Sequence, residues 1–87
     1  MTVFRHDDIE IAYDVMGAGP AVLLVHGFPQ TRAMWGGIAD GLARDFTVVT
    51  ADLRGYGASS KPEARDDLSN YSFRSMGCDM LALMASL

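Results

Sequence analysis

The stretch Ala21-Val22-Leu23-Leu24-Val25, followed directly by His26-Gly27-Phe28-Pro29, decides the fold of this chain. Five uncharged and mostly branched residues, with turn-forming residues on both sides, are typical of a buried strand that ends in a sharp loop. In α/β folds, the loops at the carboxyl ends of such strands carry the chemistry. Gly27 allows a ligand to approach the backbone closely, and Pro29 has no N–H. The backbone N–H of Phe28 is therefore the donor that this loop offers to a site.

The periodicity of the apolar residues predicts an α/β domain with about four strands and two helices. The predicted strands lie near residues 2–6, 9–16, 21–26 and 46–51, and the predicted helices lie near residues 32–44 and 73–86. A strand, a helix and a second strand in this order favour a parallel crossover. Ser72 is the expected N-cap of the final helix. Because such a helix carries the chain toward a further parallel strand, we expect residues 1–87 to be part of a larger domain.

Two apolar stripes are expected to face the core. The stripe of the first predicted helix contains Met34, Trp35, Ile38 and Leu42, and that of the second contains Phe73, Met76, Met80, Met84 and Leu87. Both follow three- and four-residue spacing, which is typical of one face of a helix. Cys78 lies beside the second stripe and is expected to be a small buried residue rather than a nucleophile.

Composition and charge argue against several classes of partner. The 87 residues carry a net charge of −4 and include seven Lys and Arg residues. Arg54, Lys61 and Arg65 come closest to a basic cluster, but acidic residues are interleaved with them, so neither nucleic acid nor an anionic membrane is an expected partner. The single cysteine allows no intramolecular disulfide and no CxxC metal site. No run approaches the ~20 apolar residues of a membrane span, and the amino terminus has no apolar leader-like run, so a cytoplasmic location is expected.

A second motif, Asp52-Leu53-Arg54-Gly55-Tyr56-Gly57-Ala58-Ser59-Ser60, follows the second predicted buried strand. Together with His26-Gly27-Phe28-Pro29 it resembles the α/β-hydrolase fold superfamily. At a finer level, residues 22–30, residues 52–62 and Asn70-Tyr71-Ser72-Phe73-Arg74 are similar to haloacetate dehalogenases, with epoxide hydrolases next closest. Gln30 favours the dehalogenases, because epoxide hydrolases more often have Glu after that proline.

The resemblance implies an amino-terminal segment of a mostly parallel α/β-hydrolase sheet, with the cap domain and the catalytic carboxyl-terminal half absent from residues 1–87. It implies hydrolytic displacement of halide from a small 2-halo acid through an aspartyl ester, without a cofactor or a metal. The small-molecule substrate is the implied partner. The backbone N–H of Phe28 becomes one oxyanion-hole donor, and the bond between Phe28 and Pro29 is expected to be cis. The other motif residues have structural roles: His26, Gly27, Pro29, Asp52, Arg54, Gly55, Gly57 and Ser59.

The 87 residues contain neither Gly-x-Asp-x-Gly nor Gly-x-Ser-x-Gly, the motifs that carry the nucleophile in such hydrolases. The sequence therefore leaves open whether the nucleophile is Asp or Ser, and the isolated chain is expected to be inactive. His26, Asp52 and Ser59 or Ser60 have the residue types of a triad, but their motifs are of the kind that shapes loops. Three alternatives remain: an epoxide hydrolase, an esterase, and a noncatalytic half-fold binding module. In the last, an unpaired sheet edge would favour self-association or pairing with another chain.

Overall fold

The computed structural model describes residues 2–6, 8–27, 30–63 and 71–87. Its elements are β1 (Thr2–His6), β2 (Ile9–Gly17), β3 (Ala21–Val25), a 3₁₀ helix (Arg32–Trp35), α1 (Gly36–Leu42), β4 (Thr47–Ala51) and α2 (Phe73–Ser86). Every predicted strand and helix is confirmed, with differences of one or two residues at the ends. The first predicted helix begins as a 3₁₀ helix. The expected cis bond between Phe28 and Pro29 lies outside the described residues.

The four strands form one sheet in the order β1-β2-β4-β3. β3 and β4 are parallel, from Ala21 opposite Thr47 to Val25 opposite Ala51, as the predicted crossover through the first helix requires. The pairs β1–β2 and β2–β4 are antiparallel. The described segment of the sheet is therefore mixed. The turn at Asp8, where φ is 63°, folds β1 and β2 into a hairpin, and hairpin strands run in opposite directions.

Each face of the sheet is covered by a helix. On one face, Ile9, Ile11, Val49 and Ala51 pack in one cluster with Met80 and Leu83 of α2. On the other face, α1 contacts β2 and β4, and Ala39 is its buried residue. Alternate residues of a strand point to opposite faces, so β2 and β4 contribute side chains to both layers. The core therefore lies at the two central strands.

The stripe of the first helix differs from the expectation. Met34 and Ile38 are 43% and 55% exposed, and Ala39 is buried instead. The first turn is a 3₁₀ helix with three residues per turn, so the α-helical residues that follow are rotated relative to a regular α-helical stripe.

The predicted apolar stripe of α2 is confirmed at the centre of the helix and is wrong at both ends. Met80 is buried, and Phe73 and Leu87 are 93% and 57% exposed. Phe73 begins the helix and Leu87 follows its last residue, so both lie outside the part that packs on the sheet. Cys78 is exposed rather than buried, because two residues along a helix turn its side chain about 200° away from Met80. Ser72 caps the helix as expected, since its side chain accepts the N–H of Ser75.

Within the described residues, no helix combines the length and the apolar character needed to cross a bilayer.

Candidate active-site loops

The two sequence motifs occupy the loops that follow β3 and β4. Because these strands are parallel neighbours, both loops leave the same edge of the sheet. His26, Asp52 and Ser59 are buried there, at 3%, 0% and 3% exposure. Polar side chains that are this deeply buried need hydrogen-bond partners, and those partners define what each residue does.

The imidazole of His26 joins the two loops. Its Nε2 accepts the backbone N–H of Leu53 at 3.0 Å, and its Nδ1 lies 3.0 Å from the carbonyl oxygen of Gly27. These partners assign the proton to Nδ1. The ring also contacts Tyr56 edge-on, with 5.0 Å between the ring centroids. With both nitrogens engaged, His26 has no acceptor left for the proton of a nucleophile.

The carboxylate of Asp52 is the centre of the second set of contacts. It accepts the backbone N–H of Arg32 at 2.7 Å and that of Ala58 at 3.0 Å, and it also bonds to the Arg32 guanidinium. Burial by itself would raise the pKa of Asp52, but these hydrogen bonds and the charge of Arg32 hold that pKa below its usual range. Asp52 is therefore an ionised carboxylate that fixes both loops.

Arg32, which sequence reasoning missed, links this carboxylate to the sheet. Its Nε donates to the Asp14 carboxylate of β2 at 2.9 Å. Burial would lower the pKa of Arg32, but the bonds to Asp14 and Asp52 raise it. One signal was present: a cation in the first turn of a helix opposes the helix dipole, so it indicates a tertiary partner.

The loop of residues 52–60 completes the hydrogen bonding of β2 where β4 has ended. The N–H groups of Asp52 and Ser60 donate to the carbonyl oxygens of Ala12 and Glu10, at 2.9 and 2.8 Å. The hydroxyls of Ser59 and Ser60 accept the N–H groups of Ala12 and Glu10, at 2.9 and 2.8 Å. Two serine hydroxyls thus replace the carbonyls of a missing strand partner, which satisfies backbone groups that would otherwise be unpaired.

Two glycines of this loop have positive φ angles, 86° at Gly55 and 50° at Gly57. A Cβ at Gly55 would lie 2.6 Å from the ring of Tyr71, and one at Gly57 would lie 2.3 Å from the Asp52 carboxylate. Both positions therefore require glycine for backbone shape and for space.

Arg54 and Asp79 tie the loop to α2. The Nε and Nη2 atoms of Arg54 each lie 2.6 Å from one carboxylate oxygen of Asp79. The Asp79 side chain is 0% exposed and that of Arg54 is 11% exposed. The hydrogen bond and the charge of Asp79 raise the pKa of Arg54 against the opposing effect of burial. Sequence reasoning missed Asp79, although a carboxylate three residues after Met76 falls within the apolar stripe.

His26, Asp52 and Ser59 do not form a triad. The hydroxyl of Ser59 donates to the backbone oxygen of Asp52 at 2.5 Å and accepts from Ala12, whereas the Asp52 carboxylate bonds to Arg32. His26 bonds to Leu53 and Gly27. Among the described residues, no group of His, Cys, Asp and Glu side chains is placed to hold a metal ion.

An apolar groove of about 330 Å³ lies beside these loops, between the end of β3 and α2. Its lining consists of Val25, His26, Leu53, Phe73, Met76, Gly77 and Met80. The groove adjoins the first loop at His26, on the side of α2. Phe28 and Pro29 lie outside the described residues, so the expected oxyanion-hole donor stays a prediction.

A family model for the alpha/beta hydrolase fold matches residues 20–87. A fluoroacetate dehalogenase of Burkholderia sp. is 55% identical over 80 residues, which cover 92% of this chain and 26% of that protein. A soluble epoxide hydrolase of Corynebacterium sp. (strain C12) is 36% identical over 75 residues, which cover 86% of this chain and 24% of that protein.

The crystal structure of a candidate alpha/beta hydrolase from Nostoc sp. PCC 7120 superposes with a TM-score of 0.94 at 44% identity. The superposition covers 98% of this chain and 29% of that one. The chain thus spans about a quarter of the length of the relatives it matches.

Proposed function

The chain belongs to the α/β hydrolase fold family, and from this premise we propose that it forms the amino-terminal part of the core domain of a haloacetate dehalogenase-like hydrolase. The observation that carries the proposal is the 55% identity to a fluoroacetate dehalogenase, which extends over 92% of the chain. Identity to the soluble epoxide hydrolase is lower, at 36%.

In the proposed reaction, the carboxylate of an aspartate outside residues 1–87 attacks the carbon that bears the halogen of a small 2-halo acid. The carbon–halogen bond breaks, halide leaves, and an aspartyl ester forms. Water activated by a histidine then hydrolyses the ester, which restores the aspartate and releases the 2-hydroxy acid. The partner is the small-molecule substrate, and no cofactor takes part.

The contribution of this chain is to the second step. Hydrolysis of the ester develops negative charge on the aspartyl carbonyl oxygen, and the backbone N–H of Phe28 is the proposed donor to it. Such a donor is worth about 3–4 kcal/mol of transition-state stabilisation. The contacts of His26 with Leu53 and of Arg32 with Asp52 support this assignment, because they hold the segment on either side of Phe28. Since residues 1–87 contain no nucleophile motif, the isolated chain is proposed to be inactive.

A hybrid enzyme tests the proposal. In this hybrid, residues 1–87 replace the matching segment of the Burkholderia fluoroacetate dehalogenase, and fluoride release from fluoroacetate is measured. We expect kcat/KM within about tenfold of the parent enzyme, which corresponds to about 1.4 kcal/mol of transition-state stabilisation. The matched control carries the corresponding segment of the Corynebacterium epoxide hydrolase. Its kcat/KM is expected to be reduced by at least about 100-fold relative to the parent dehalogenase.

A reciprocal hybrid tests the second candidate, an epoxide hydrolase, for which the supporting observation is the 36% identity to the Corynebacterium enzyme. Here residues 1–87 replace the matching segment of the Corynebacterium enzyme, and opening of an epoxide is measured. Epoxide turnover near the parent value, combined with a folded but inactive dehalogenase hybrid, would establish the epoxide hydrolase instead. If both hybrids fold and neither is active, the result would favour the noncatalytic module.

A further inference from the structure

We propose that Arg32 is a positioning residue for catalysis, which fixes the loop between β3 and the 3₁₀ helix without touching the substrate. The inference deepens the proposed function and rests on it. No sequence motif pointed to this residue.

Both ends of this loop are anchored, one at His26 and the other at Arg32. At its start, His26 accepts the N–H of Leu53 at 3.0 Å. At its end, the backbone N–H of Arg32 donates to the carboxylate of Asp52 at 2.7 Å. Both anchors thus attach to consecutive residues immediately beyond β4, at the carboxyl end of that strand.

The guanidinium of Arg32 makes the second anchor rigid. The guanidinium of Arg32, like its backbone N–H, donates a hydrogen bond to Asp52. Its Nε donates another to the carboxylate of Asp14 at 2.9 Å. A guanidinium is a planar fork whose donors have fixed directions, so two carboxylates on two different elements define its orientation. The Asp52 side chain is 0% exposed, so its carboxylate depends on protein donors, and Arg32 is one of them.

The 3₁₀ helix itself does not explain this arrangement. Thr31 stands at its N-cap position but makes no side-chain capping bond, and Asp52 accepts the first-turn N–H from 20 residues away along the chain. A backbone donor to an oxyanion accelerates a reaction only when its position is fixed before the charge develops. Arg32 therefore acts on ester hydrolysis through the loop that carries Phe28.

The test compares Arg32→Gln, Arg32→Lys and Arg5→Gln in the hybrid enzyme, which contains the full chain. Arg5 is the matched control, because it pairs with Glu10 at the surface and its side chain is 69% exposed. For Arg32→Gln we expect kcat for fluoroacetate turnover to fall about 10- to 100-fold and KM to fall with it, because hydrolysis of the ester is slowed while the first step is unchanged. Arg32→Lys is expected to recover part of kcat, and Arg5→Gln to leave it unchanged.

Two readouts separate positioning from simple loss of fold. Because the oxyanion develops in ester hydrolysis, Arg32→Gln should accumulate the aspartyl ester, seen as a covalent mass increase after rapid quenching. Hydrogen exchange of the amides of residues 26–31 should become faster in the same variant. A lower melting temperature with unchanged kcat per folded molecule and unchanged exchange would overturn the proposal. The exchange measurement tests Arg32 even if the unsubstituted hybrid is inactive, an outcome that would instead refute the proposed function.

Discussion

Gly57 and Asp52 share a space that has no room for another carbon atom. A Cβ at residue 57 would lie 2.3 Å from the carboxylate that holds Arg32 and Ala58 in place. These two motif residues therefore depend on each other. Asp52 can occupy its position only because residue 57 has no side chain, and glycine is required at residue 57 because the Asp52 carboxylate is buried against it. Asp52 is 0% exposed, so it cannot relax into solvent.

The substitution Gly57→Ala is expected to destabilise the fold by about 1–3 kcal/mol, through strain at positive φ and the clash with Asp52. The matched control is Gly37→Ala, where a Cβ would meet nothing within 4 Å. There, alanine is expected to add up to about 1 kcal/mol of stability, because it favours a helix interior over glycine. Urea denaturation of the hybrid measures both changes. Equal effects at the two positions would contradict the account of Gly57.

Arg54 and Asp79 give a second expectation at the scale of residues. Replacing Arg54 with Met leaves the carboxylate of Asp79 buried and unpaired, which is expected to cost about 3–5 kcal/mol. The double variant Arg54→Met with Asp79→Leu removes both charges and should be clearly more stable than Arg54→Met alone. Urea denaturation of the hybrid variants provides the comparison. If the double variant is the less stable of the two, the pair contributes something other than mutual neutralisation.

At the scale of elements, α2 packs on the sheet through one narrow face. Leu83 is 0% exposed within the core cluster, whereas Leu81 on the same helix is 74% exposed. Asp79 occupies that face as well, so the helix is attached both by apolar packing and by the Arg54 pair.

This packing is tested by the same substitution at two positions of α2. Leu83→Ala is expected to lower the free energy of unfolding of the hybrid by about 2–5 kcal/mol, because it leaves a cavity in the core. Leu81→Ala should change it by less than about 0.5 kcal/mol, as is usual for an exposed position. Similar losses at both positions would mean that the helix is rotated from the face described above.

The loop of residues 52–60 behaves as an element although it is neither helix nor strand. It extends the sheet beyond the end of β4 by offering the hydroxyls of Ser59 and Ser60 to β2. The long connection that follows β4 in the sequence is therefore partly structural.

At the scale of the whole molecule, β3 lies at one end of the sheet, with β4 as its described strand partner. Its five residues carry no charge, and Val25 at its end is 43% exposed beside the apolar groove. Uncharged end strands pair readily with other chains. The isolated chain of 87 residues is therefore expected to be poorly folded or to associate through this edge.

Sedimentation measures the association of the isolated chain, and amide hydrogen exchange measures how well it is folded. Val25→Lys places a charge at the edge and should weaken association by about tenfold, or about 1.4 kcal/mol. Val15→Lys is the control, since Val15 is 46% exposed but lies on β2, which is an inner strand between β1 and β4. A monomer with a sharp thermal transition and protected amides in residues 21–25 would refute the expectation.

What the sequence by itself determined is the set of elements and the family. Apolar periodicity and turn residues act over a few neighbours, so β1 to β4 and both helices were predictable, as was the cap of α2 at Ser72. The two loop motifs indicated which residues meet at the carboxyl ends of β3 and β4. The role of Phe28 stays a prediction.

Only the tertiary structure decided the strand order and the ionic partners. β4 enters the sheet between β2 and β3, and it runs antiparallel to β2 and parallel to β3. Arg32 meets Asp52 across 20 positions of the chain, and Arg54 meets Asp79 across 25. A charged residue carries no local mark of its partner, because pairing depends on where distant segments fold together. The exposure of Phe73 and Cys78 follows from the same cause, since the face that α2 buries is set by the sheet beneath it.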